Sequence, residues 1–139
     1  MFARRRSTCP AGCPLRRAVA ATELALCLPL IVMLVLASLE ACTMIFLNHS
    51  LSIASYEGVR VAINYDSTTQ QVEDRCEMLI NARHVSGGLV EIEPPDVASV
   101  DRGERIAVTV SAPCDSNALI PPWFFGGRTL SATTIMVKE

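Results

Sequence analysis

A single carboxylate, Glu23, stands at the head of a long apolar run between Arg16 and Leu47, RRAVAATELALCLPLIVMLVLASLEACTMIFL. No other charged residue appears until Glu40. A carboxylate at the edge of an apolar span is costly unless it finds a partner. A newly made α-amino group is one such partner. Cleavage after Ala18 would start the chain at Val19 and make Glu23 its fifth residue, placed to pair with the free amine of a neighbouring subunit in a bundle of helices. The chemistry expected here is therefore peptide-bond processing by another enzyme, followed by an ion pair between subunits.

The remaining reactive residues point to no active site. Cys9 and Cys13 have metal-like spacing, but the only histidines are His49 and His84, far away, and a structural zinc site wants four ligands. No metal and no cofactor is expected. No nucleophile comes with a base, so no catalytic residue and no enzymatic activity is expected. Leu39-Glu40-Ala41-Cys42 loosely resembles a lipidation box, but a glutamate before the small residue is unfavourable, and the leader would far exceed signal-peptide proportions. Cys76 and Cys114 are the two cysteines of the distal part, and export to an oxidising compartment would let them form a disulfide.

The elements that must position these residues follow from charge and period. Residues 1–18 carry five arginines and no acid, whereas residues 48–139 carry twelve acids against six arginines and Lys138. A basic head before an apolar run keeps the head cytoplasmic. It is a poor nucleic-acid patch, because no interleaved aromatics or recognition fold follows, and no nucleic-acid partner is expected. Residues 24–47 make a helix of roughly 36 Å at about 1.5 Å per residue, enough for a ~30 Å hydrocarbon core. Pro29 inside it is tolerated in a membrane helix. Leu47, Leu51, Ala54, Ser55, Gly58 and Ala62 continue the helix with one small-residue face.

Thr68 and Gln71 have capping-box spacing and open a second helix. Val72, Cys76, Leu79, Ile80 and Arg83 trace one of its faces, and it is expected to end near Gly87-Gly88. The period then changes to two: strands are expected over 89–93, around Ile106 to Ala112, and over 129–137. Between the last two lies a Pro/Gly loop with three adjacent aromatics, Trp123, Phe124 and Phe125, which either close a small core or form an interface. The expected fold is α+β. A leader (residues 1–18) precedes a transmembrane assembly helix (19–47) and a domain (48–139) that adds a second helix and about three antiparallel strands.

Taken together, Ala18, Glu23, Pro29, Glu40 and the stretch Tyr56-Glu57-Gly58-Val59-Arg60-Val61-Ala62 resemble the type IV prepilin signal in the form used by the TadE-like family of Tad (Flp) pilus biogenesis. The resemblance covers residues 16–64. It departs from the family in having alanine rather than glycine before the cut, and Leu24 rather than an aromatic after the glutamate. It implies a minor pilin or pseudopilin of the bacterial inner membrane, with the N-terminus cytoplasmic and the distal domain periplasmic. The implied partners are the lipid bilayer, a prepilin peptidase, related minor pilins of the TadF/TadG type, the Flp major pilin and the inner-membrane assembly platform. The alternative reading is an uncleaved single-span anchor carrying a periplasmic binding module.

Overall fold

The computed structural model describes residues 13–138, with side chains from Val19 onward. Residues 1–12 of the leader, including Cys9, and the side chains of residues 13–18, Cys13 and Ala18 among them, lie outside the described residues. Helix α1 runs from Cys13 to Ala62 and passes through Pro29. By internal packing the chain divides after Leu36. In the first unit every side chain described, from Val19 to Leu36, is exposed.

The second unit begins at Ala37 and is α+β. Helix α2 (Thr69–Ala82) follows α1, then strands β1 (Leu89–Glu93), β2 (Arg105–Pro113) and β3 (Thr129–Val137). The sheet has the order β1-β2-β3 and is antiparallel throughout, with Leu89 opposite Ser111 and Arg105 opposite Val137. Short 3-10 turns at Val97–Ser99 and Asp115–Asn117 punctuate the connections. From Glu40 on, α1 is itself a core element of this second unit. Met44, Leu47, Leu51, Ala54, Val59 and Ala62 are all buried, and each large aliphatic side chain among them contributes about 1.5–3 kcal/mol.

The small-residue face explains how the layers approach. Leu47, Leu51, Ala54, Ser55, Gly58 and Ala62 are all buried, as their spacing predicts. Ile106, Val108, Val110 and Ala112 of β2 supply the opposing wall, while the alternate residues of β2 are less buried. Ser55 Oγ and Thr134 Oγ1 share a 2.8 Å hydrogen bond that ties α1 to β3. The other sheet face stays polar where Thr109 and Thr133 pair at 2.8 Å.

Helix α2 starts at the expected capping box: Gln71 N–H donates to Thr68 Oγ1, and Thr68 N–H donates to Gln71 Oε1. Its end differs from expectation. The helix stops at Ala82, with His84 in the left-handed region at φ 55° and Val85 N–H donating to Ile80 C=O at 3.0 Å. That six-to-one bond closes the helix, and burial of Val85 holds the reversal in place, so termination does not wait for Gly87.

Candidate functional site

Two clusters gather the residues that the sequence singles out. The first sits where α1 meets α2 around Glu57, Gly58 and Arg60. Gly58 faces the sheet and α2 together: a Cβ there would collide with Cys76 Sγ and come within 3.3 Å of Val108 Cγ1. Glycine is thus required by close approach rather than by backbone conformation. One residue earlier, Glu57 reaches across to α2, where Arg75 Nη2 donates to its Oε2 at 3.2 Å. Arg60 stands further out, 3.9 Å from Glu57 Oε1 and largely exposed. Glu57 and Gly58 therefore work on docking α2, while Arg60 leaves most of its guanidinium free for solvent or a partner. Arg75 was not marked by the sequence; only its place opposite Glu57 gives it a role.

The second cluster joins two features that look separate in the sequence. Glu40 is buried, and its Oε1 accepts the backbone N–H groups of Phe124 at 2.8 Å and Phe125 at 2.9 Å. A buried carboxylate needs donors, and consecutive N–H groups of a turn supply them without a counter-cation. The same loop is held a second time. Asp115 accepts the Gly127 N–H with both oxygens, at 3.1 and 3.0 Å. Gly127 adopts φ 69°, which favours glycine, and Arg128 lies 5.8 Å over the Phe125 ring. Phe125 is half-buried, whereas Trp123 is 78% exposed and Phe124 59% exposed. The aromatics therefore do not close the core; the loop is pinned by its backbone and presents its rings outward.

Glu23 differs from Glu40. It is exposed, and among the described residues it has no hydrogen bond or ion pair. Val19 is exposed too, its carbonyl accepting from Thr22 Oγ1 at 2.7 Å within the helix. Pro29 sits on the same exposed stretch.

The expected disulfide is not formed. Cys76 and Cys114 are both buried free thiols. Cys76 lies beside Gly58 at the level of Val108, and Cys114 is six residues further along the direction of β2, roughly 20 Å at strand rise. A disulfide needs Cα atoms within about 7 Å. Burial pushes the Cys76 thiol up to about 11, helped by the charge of Glu73, and its Sγ donates to Ala54 C=O at 3.5 Å. Burial and Asp115 likewise push Cys114 up, against Arg128. Maleimide labelling of the folded protein at neutral pH is expected to modify Cys42, which is exposed just beyond the apolar span, and to spare Cys76 and Cys114 until denaturant is added. Mass spectrometry of the labelled peptides reads this directly.

Among the described residues no group of three or more metal-ligating side chains occurs, and one helix is long and apolar enough to cross a membrane. Fold and site thus define a class: a chain with a single N-terminal helix suited to membrane anchoring, continuous with a small α+β domain. A family model described as TadE-like protein matches residues 18–60, within α1, where the resemblance read from the sequence also lies. The match stops short of α2, so the rest of the α+β domain lies outside it. No curated protein and no solved structure matches the chain.

Proposed function

We propose that this chain is a minor pilin or pseudopilin of a Tad (Flp) type IVb pilus. A prepilin peptidase cuts it between Ala18 and Val19. The mature subunit stays in the inner membrane through α1, with the α+β domain in the periplasm, and acts in pilus assembly or secretion rather than in catalysis. Related minor pilins, the Flp major pilin and the assembly platform are its partners. The observation that carries this reading is Glu23: an exposed carboxylate on the family-matched helix, unpaired among the described residues and five residues into a chain that starts at Val19. Such a carboxylate in lipid calls for a cation from another subunit, and a new α-amine is the nearest chemistry. The folded region after α1 supports an assembly or tip role, since a bulk fibre subunit needs little beyond its helix.

The test is Glu23→Ala in a strain whose pili depend on this chain. The expected outcome is protein retained in the membrane fraction with surface pili lost, because breaking a desolvated ion pair costs about 3–5 kcal/mol in subunit association. Normal piliation and normal processing in that variant would leave the ordinary single-span anchor as the better reading.

A further inference from the structure

The rings of Trp123 and Phe124 are exposed, yet the loop that carries them is built rather than loose. Glu40 fixes its middle and Asp115 its end, and the result is two outward rings. What they meet follows from where Glu40 falls along α1. From Ala18 to Leu39 the helix covers roughly 33 Å at its rise per residue, close to the ~30 Å of a hydrocarbon core. Glu40 is the first charge beyond that stretch. A carboxylate that holds the loop directly therefore sets the loop at the far edge of the apolar span.

Other side chains around the same turns of α1 share this character. Leu39, Ile45 and Phe46 are exposed. Leu119, 76% exposed, borders the groove that Leu39, Phe46 and Arg83 also line. Arg128, stacked over Phe125, adds a cation suited to lipid phosphate. An amphipathic indole on a loop that ends in an arginine is a composition that seats at a membrane–water interface.

We propose that the Trp123–Phe124 loop inserts into the headgroup region of the outer leaflet, giving the domain a second contact with the bilayer beside α1. This rests on α1 being a membrane anchor. It assigns the loop to lipid rather than to a protein partner, and it means that the orientation of the domain on the membrane is held at two points.

Trp123 is the single tryptophan of the chain, so its fluorescence reports the loop alone. The full chain is reconstituted into phosphatidylcholine/phosphatidylglycerol vesicles, with bromine placed on the acyl chains either near the glycerol or near the methyl end. The expected result is blue-shifted emission, strongly quenched by the shallow bromine, weakly by the deep one, and little by aqueous iodide. The position control is Trp123→Phe combined with Tyr65→Trp. Tyr65 follows the end of α1 at Ala62, which is about 33 Å along the helix from Glu40, and a tryptophan there should be quenched by iodide and not by bromine. Equal bromine quenching at both positions would overturn the proposal by showing general adsorption. So would a Trp123 blue shift that rises with protein density without bromine quenching, which would mean contact between copies. Alkaline carbonate separates the two readings. A chain that stays with the vesicles while Trp123 remains iodide-accessible sinks the loop proposal alone. A chain that is extracted sinks the anchor and the loop together.

Discussion

Gly58→Ala is expected to destabilise the α+β domain by about 1–3 kcal/mol, the usual cost of forcing a methyl group into a filled core. The new Cβ meets Cys76 Sγ and Val108 Cγ1, and neither can swing away. Cys76 is fully buried on α2 with its thiol aimed at Ala54 C=O, and Val108 is a buried residue of the central strand β2. Relief requires α2 to shift outward, which would also stretch the Glu57–Arg75 ion pair. Cys76→Ala removes the atom that the new methyl group strikes. The double variant Gly58→Ala/Cys76→Ala should therefore be more stable than the sum of the single losses predicts, with a coupling of about 0.5–3 kcal/mol. Urea midpoints of the detergent-solubilised full chain, followed by circular dichroism, measure all three variants. Strict additivity would show that the collision does not govern this glycine.

Glu40→Ala acts on the loop rather than on the whole fold. It leaves the N–H groups of Phe124 and Phe125 without their acceptor, and hydrogen bonds to a charged group contribute about 1.5–3 kcal/mol. The Asp115–Gly127 contact and the β2–β3 pairing remain, so the strands should hold while the loop opens. Amide exchange at Phe124 and Phe125 is expected to accelerate roughly tenfold to a hundredfold. Exchange within β2 should stay near its original rate. Glu40→Gln keeps an acceptor oxygen and should fall between the two. If exchange at these two amides were unchanged in Glu40→Ala, the loop would be held by something other than the carboxylate.

Most of the fold is legible in the sequence because its signals are periodic and local. The small-residue face of α1, the Thr68/Gln71 cap and the alternation of β2 each reflect a repeat that neighbouring residues alone determine. The end of α2 is less legible. His84 adopts a left-handed conformation that glycine would take more readily, and the burial of Val85 imposes it from outside the helix. Long-range pairings are the least legible. Glu40 and Phe124 are 84 residues apart in sequence, and nothing in either stretch names the other. A general clue does exist: a carboxylate within an apolar run demands donors, and a Pro/Gly loop has unpaired backbone N–H groups to offer. The cysteines show the opposite failure. Counting two in one compartment suggests a bond, but the distance between their places on the fold forbids it.

The same contrast separates the two glutamates of α1. Glu40 finds its donors inside its own chain, whereas Glu23 has none among the described residues, and the proposed function turns on that difference. N-terminal sequencing of the membrane-bound protein, isolated from cells that assemble the pilus, is the most direct test. The expected mature chain begins Val19-Ala20-Ala21-Thr22-Glu23, with the basic leader gone. A chain that still begins at Met1 would contradict it, since Glu23 would then have no new amine to meet.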